Sequence, residues 1–208
     1  MYIPKYFKQN DIVAAENFVS EYPFATLVST AGDAPIATHI PVILDTKEGG
    51  WKFTGHISLE NPHHNVFGNQ NHLLIFQGPH AYISPTWYEH KQNVPTWNYI
   101  AVHCYGTIHK LGVSEHLYCL ENMINVLDPD YFIQWQYLDA DYKEKLATGI
   151  VAFTFEVTEI KAVEKLSQNK SYNDRKNITQ RLSHSDDSSA CAIARRMNIL
   201  LQNSNDVP

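Results

Sequence analysis

From Pro95 to Lys110 the sequence alternates without a break, and no other feature constrains the fold of this chain as strongly. Asn98, Ile100, Val102, Cys104, Gly106 and Ile108 fall on one face. Trp97, Tyr99, Ala101, His103, Tyr105, Thr107 and His109 fall on the other. A period of two marks a strand, because successive side chains point to opposite sides of a sheet. The first face predicts the core of a sheet or barrel. The second is amphipathic and aromatic, as expected where a sheet meets a ligand or a second subunit.

The stretch around it, Phe76 to Gly106, also holds Tyr82, Trp87, Tyr88, His80 and His90, with prolines at 79, 85 and 95. Each proline keeps the residue before it out of the helical region. Aromatics on extended backbone suit a flat surface that stacks on a planar ligand. A sheet face packed on another sheet accounts for the same pattern.

The rest of the chain reads as hairpins and short helices. Asn10 or Asp11 can cap a helix running to about Tyr22. Phe24–Thr30 is a strand, 31–33 a turn, and Pro35–Leu44 its hairpin partner. In that partner Ile36, Thr38, Ile40, Val42 and Leu44 share one face, opposite Ala37, His39 and Pro41. Gly49-Gly50 turns into a strand over 51–55. Asn61-Pro62 opens a short helix that stops near Gly68. His72–Gln77 is an apolar strand, and 84–94 is a loop long enough to carry function. Helices are expected from Ser114 to about Leu127 and over 141–148. A strand follows at 151–157, then a helical tail over 174–182 and 189–201. Strands in hairpin order with interrupting helices predict an α+β protein built on an antiparallel barrel. The barrel domain spans 1–163. The helical segment 164–208 packs on it or on a dimer partner.

With 44% hydrophobic and 18% charged residues, the 208-residue chain has the composition of a folded globular protein. No apolar run is long enough for a membrane helix, and the N-terminus MYIPKYFKQND has no apolar signal core, so cytoplasm is the expected location. Cys104, Cys119 and Cys191 suggest neither a disulfide framework nor a zinc site. Residues 1–163 carry nine lysines against seventeen acids, a balance of −8, and 164–208 carry seven basic residues against five acids, a balance of +2. A negative body with so small a basic tail predicts weak or indirect DNA contact. No dinucleotide glycine motif, P-loop or nucleophile elbow is present. His63 and His64 are adjacent and do not converge on a helix. His103 and His109 lie six residues apart on a strand, roughly 20 Å at the rise of extended chain. No protein metal site is therefore expected.

Six blocks, MYIPKYF, ATHIPV, GHISLENP, FQGPHAYISPTWY, VPTWNY and KLSQNKSYNDR, resemble the PaiB family from Met1 to about Arg181. That family is described as FMN-binding negative transcriptional regulators with a flavin split-barrel fold. The resemblance implies a homodimer with FMN at the subunit interface. It leaves open an FMN-dependent oxidoreductase using NAD(P)H, or a haem-binding protein on the same fold.

FMN needs a cradle for its phosphate, polar groups for the ring edge and surfaces for the ring faces. Under the resemblance, GHISLENP offers Ser58, His56 and Asn61 to the phosphate, since a strand-to-helix turn can present free N–H groups to an anion. Related oxidases carry an Arg-Lys pair after the matching serine. This chain has Leu59-Glu60 instead, which moves the positive charge to Lys165, Lys170 or Arg175 in the segment that also holds Gln168 and Asn169. Thr38, His39 and Pro41 are expected at the ring edge, with Gln77 as a group that both donates and accepts. Trp87, Tyr88 and Trp97 are the stacking candidates.

Overall fold

Gly32 adopts φ 60°, a left-handed conformation, and the chain reverses there. Glycine takes that conformation at little cost because it has no Cβ. The reversal sets the first hairpin, β1 (Phe24–Ala31) with β2 (Ala34–Asp45), in a register that pairs Ala31 with Ala34 and Phe24 with Pro41. Four more strands follow: β3 (Lys52–Ser58), β4 (His72–Ile83), β5 (Thr96–Lys110) and β6 (Ile150–Lys165). They close an antiparallel barrel in the order β1-β2-β3-β6-β5-β4, as the alternation predicts. The computed structural model describes residues 1–47, 49–68 and 70–203.

The helices are α1 (Ile12–Glu21), α2 (Val113–Leu127), α3 (Pro129–Gln136), α4 (Ala140–Thr148), α5 (Tyr172–Ser183) and α6 (Ser188–Asn203). Asp11 caps α1, its carboxylate accepting from the Val13 and Ala14 amides. The sequence pattern predicts that α2 starts at Ser114. The cap is instead Gly112, whose N–H donates to the Glu115 carboxylate at 2.8 Å. Helix α3 is not foreseen. Asp128 caps it and Pro129 fills its first turn, where no N–H is needed. The helix expected over 61–68 is a 3₁₀ turn, Pro62–Val66. Strands β4 and β6 run well past their expected ends at 77 and 157. In β4 the buried face shifts by one position at Gln77-Gly78, from His72, Leu74 and Phe76 to Pro79, Ala81 and Ile83. Such a shift hides the continuation from a period-two pattern.

The chain divides into two compact units, each discontinuous in sequence. One comprises Glu16–Phe76 and His103–Lys161. Its core holds Leu27, Phe53, Leu74, Phe76, Phe153 and Phe155, with the Phe53 and Phe76 ring centroids 5.0 Å apart. Gly106 is required where β5 passes β6, since a Cβ there would lie 2.0 Å from the Glu156 carbonyl oxygen. Helix α2 covers the outer side of β3, with the Cys119 thiol 3.7 Å from the Gly55 carbonyl.

The other unit comprises Met1–Ala15, Gln77–Val102 and Ala162–Pro208, so the tail segment belongs with the N-terminus and the aromatic stretch. Residues 204–208 of that tail lie outside the described residues. Ile178 and Leu182 of α5 and Ile193 and Met197 of α6 are buried here. Phe7, Ala101 and Val163 form a smaller cluster, and Lys8 bridges to Val163. Ser167 turns the chain into α5 at φ 61°, held by Gln168, which accepts from the Leu166 amide and donates to the Glu164 carbonyl.

Candidate functional site

The residues expected to bind a ligand fall into two groups, one in each unit. In the unit of β1–β3, Thr38 stands at the head of a buried polar chain. Its Oγ1 lies 2.8 Å from His63 Nδ1. His63 Nε2 lies 2.7 Å from Ser29 Oγ, and Ser29 Oγ lies 2.6 Å from His72 Nδ1. His72 Nε2 ends the chain on the Gly68 carbonyl at 3.3 Å. Ser29, His63 and His72 are 3%, 2% and 1% exposed. Burial holds both imidazoles below their ordinary pKa, because it disfavours the charged ring. The neighbouring His72 lowers His63 further, and the Gly68 bond partly offsets the shift at His72.

The Asn61-Pro62 turn positions this chain. Asn61 Oδ1 accepts the His63 amide at 3.0 Å, and Asn61 Nδ2 donates to Thr38 Oγ1 at 3.3 Å. Ser58 Oγ accepts the Glu60 amide at 3.2 Å. Both turn amides are therefore occupied by the chain's own side chains. His56 lies under α2 with Nδ1 3.2 Å from the Met123 sulfur, and burial, then His116, lowers its pKa. His39 is on the outer face of β2. It is 2.9 Å from Thr26 Oγ1 and stacks on Phe24 at 6.2 Å. Pro41, also on β2, pairs with Phe24 in the register.

Ser29, His63 and His72 are not among the residues expected from the sequence to bind a ligand. The signal is nevertheless there. Ser29 continues the buried stripe of Ala25 and Leu27 in β1, and His72 opens the stripe of Leu74 and Phe76 in β4. A polar residue at a core-facing position needs a buried partner, and these two partner each other.

In the other unit, Tyr88 is 7% exposed and its hydroxyl has no hydrogen-bond partner among the described residues; the same holds for the buried Arg175 Nε. Each has a hydrogen to give. Burial, then the Asp174 carboxylate, raises the Tyr88 phenol pKa. Lys170 Nζ lies 4.4 Å from the Tyr88 ring centroid and donates to Asn93 Oδ1 at 2.8 Å. Lys165 donates to Thr96 Oγ1, and burial lowers its pKa. Asp174 accepts the Glu89 amide at 2.9 Å, which ties the loop of 84–94 to α5. An open cleft of about 710 Å³ runs beside this loop, lined by Thr86, Trp87, Tyr88, Asn177, Gln180, Arg181 and His184. Trp97 is 52% exposed and packs edge-on to Tyr82, 46% exposed, at 5.8 Å. Gln77 and Asn169 are exposed, and Gln168 is committed to the Ser167 turn.

Among the described residues, no three His, Cys, Asp or Glu side chains are placed to hold a metal ion, and no helix is long and apolar enough to cross a membrane.

The family described as "Putative FMN-binding domain" matches residues 1–159. The chain belongs to this FMN-binding family. It is 40% identical over 200 residues to the Bacillus subtilis protein named Protease synthase and sporulation protein PAI 2, covering 95% of this chain and 96% of that one. It is 32% identical over 131 residues to an uncharacterized protein of Saccharomyces cerevisiae, covering 51% and 77%. Among solved structures, the flavocytochrome Anf3 of Azotobacter vinelandii superposes with a TM-score of 0.61 at 14% identity, covering 79% and 72%. The FAD and heme binding protein of Mycobacterium smegmatis superposes with a TM-score of 0.60 at 12% identity, covering 76% and 73%. At these identities the two structures speak for the fold alone.

Proposed function

We propose that this chain binds FMN as a homodimer and works as a flavin-linked sensor in regulation. The observation that carries the ligand reading is the Tyr88 hydroxyl, buried with no partner among the described residues and carried on a ring 4.4 Å from Lys170 Nζ, together with Arg175 Nε, likewise buried and without a partner among them. Buried polar groups are nearly always paired, so unpaired donors near a cation suit an anionic or acceptor-rich ligand. FMN supplies both a phosphate and ring carbonyls. The Asp174 carboxylate opposes an anion close to Tyr88, so Lys170 and Arg175 are the groups to hold phosphate.

The dimer rests on the exposed aromatic pair Tyr82 and Trp97, which suits a subunit contact better than water. A regulatory role rests on the 40% identity to a protein named for protease synthesis and sporulation. The negative charge of residues 1–163 argues for action through a partner, not through direct DNA contact.

A visible spectrum of the purified protein, followed by titration with FMN under light scattering, tests the proposal. Flavin bands, saturable binding and a mass near twice 23.8 kDa are expected. A colourless monomer that ignores FMN would overturn it. Rapid anaerobic bleaching by NADH or NADPH would favour an oxidoreductase over a sensor.

A further inference from the structure

Asn177, Gln180 and Arg181 of α5, with His184 at its C-terminal end, fall within about 100° of the helix circumference and make one polar stripe. The side of α5 that carries Ile178, Thr179 and Leu182 is buried. The polar stripe lines the cleft of about 710 Å³, and Trp87 and Tyr88 line it from the loop of 84–94. Every one of these residues belongs to the same compact unit. The volume lies within the range of small-molecule sites.

Arg181 holds the one full positive charge of this lining, which has no lysine and no second arginine. Its guanidinium makes no ion pair or hydrogen bond among the described residues. A cation in the last turn of a helix is favoured by the helix dipole, but the dipole leaves the guanidinium fork unfilled. A fork of parallel N–H groups matches a carboxylate. Arg175 does not share this position. It precedes Arg181 by six residues, roughly 9 Å along the axis and about a third of a turn round it.

Two further groups narrow the ligand. Trp87 is half-buried and offers an aromatic surface to a planar ring. His184 Nδ1 lies 2.8 Å from the Gln180 carbonyl, which can only accept, so Nδ1 carries the hydrogen. In the neutral ring Nε2 is then an acceptor, and it suits a phenolic hydroxyl.

We infer that this cleft is a second ligand site, for a small aromatic carboxylate that carries a ring hydroxyl. The carboxylate pairs with Arg181, the ring packs on Trp87, and the hydroxyl donates to His184 Nε2. The site goes beyond the FMN reading and does not depend on it. Tyr88 lines the cleft, so its occupant lies beside the residue that the FMN reading gives to the flavin.

Calorimetric titration of the full chain at pH 8 with para-hydroxybenzoate, benzoate, benzamide and cyclohexanecarboxylate tests the inference. Para-hydroxybenzoate should bind saturably and tightest of the four. Benzamide, which lacks the charge, should bind about tenfold more weakly or worse. Arg181→Gln should weaken para-hydroxybenzoate about tenfold and leave benzamide and the thermal unfolding of the unliganded protein unchanged. The exposed position of Arg181 makes that variant safe for folding. No binding of para-hydroxybenzoate at millimolar concentration, or equal binding of the acid and the amide, overturns the inference. Cyclohexanecarboxylate that binds as well as benzoate overturns the role of Trp87 and the aromatic class with it. Saturating FMN is then added. Displacement of the acid by FMN, with both weakened by Arg181→Gln, would make the cleft the flavin's own place, which overturns a second site and leaves FMN binding standing. Acid binding in a protein that takes up no FMN supports this site and overturns the FMN reading alone.

Discussion

The Ser29 hydroxyl lies 2.6 Å from Nδ1 of His72, joining two residues on different strands that have no access to water. The bond holds the ends of β1 and β4 together where their register pairs Val28 with Leu73. Its removal leaves two polar atoms stranded, His72 Nδ1 and His63 Nε2–H.

Ser29→Ala should therefore cost about 2–6 kcal/mol, since each of the two stranded buried groups costs about 1–3 kcal/mol. Urea denaturation followed by tryptophan fluorescence measures it. A loss below about 0.5 kcal/mol would mean that the imidazoles find other partners.

Stability should fall on mild acidification. His63, His72, His56 and His103 all have pKa values pushed below the ordinary 6.5, chiefly by burial. Below pH 6.5 the unfolded chain takes up protons that the folded one refuses. The stability these groups give is full above that pH and is lost as pH falls from 6.5 toward their depressed values. Glu164, whose carboxyl burial raises above the ordinary 4.5, acts in the opposite sense within the acid part of the window. The unfolding midpoint in urea should drop between pH 7.5 and pH 5.5, and a replacement of His72 by Phe should flatten the slope. An unchanged midpoint would contradict the burial of these rings.

Gly106→Ala should disrupt the barrel, because the added carbon meets the backbone of β6 and not the tip of a flexible side chain. Overpacking costs about 1–3 kcal/mol when side chains can yield, and here the obstacle is a carbonyl. Circular dichroism melts should show a large loss of Tm or no cooperative unfolding. Gly50→Ala, with open space around the new carbon, serves as the control.

One thiol of three should react in the native protein. Cys104 and Cys119 are 0% and 1% exposed, and burial pushes the Cys119 thiol up to about 11 and the Cys104 thiol higher still. The thiolate is the reactive form, so both should be inert at pH 8. Cys191 is half-buried on α6. Titration with a chromogenic disulfide should count one thiol in buffer and three in urea. Two fast thiols in buffer would show that α2 opens readily over β3.

What was legible in the sequence follows from what each pattern depends on. The six strands and the faces of β5 show through because alternation is local and every buried position from Asn98 to Ile108 is apolar, small or satisfied within the core. The second half of β4 is hidden because a one-residue shift at Gln77-Gly78 reverses its faces. Helix α3 is hidden because Asp-Pro serves equally well as cap and as breaker. The site is the least legible part. Thr38 stands out from its strand, yet its partners come from β1, β4 and a 3₁₀ turn, and only the tertiary structure brings Ser29, His63 and His72 together.

Tyr88→Phe separates a group kept for a ligand from one kept for the fold. Its hydroxyl is buried without a partner among the described residues. That condition costs about 1–3 kcal/mol relative to a satisfied group. Burial, then the Asp174 carboxylate, raises the phenol pKa, so the hydroxyl keeps its hydrogen and has it to donate. Deleting it should leave the ligand-free protein as stable as wild type, or more stable by up to about 2 kcal/mol, the relief of that desolvation cost. The ring stays, and with it the packing of Lys170 over its face at 4.4 Å. The same change should weaken FMN binding about tenfold, the loss of one donated hydrogen bond to a ligand. Thermal unfolding with and without saturating FMN reads both effects, because a ligand raises Tm in proportion to how tightly it binds the folded state. Wild type should gain more from FMN than Tyr88→Phe. A ligand-free Tyr88→Phe protein that melts well below wild type would show that the hydroxyl already has a partner in the fold, and its assignment to the flavin would fall.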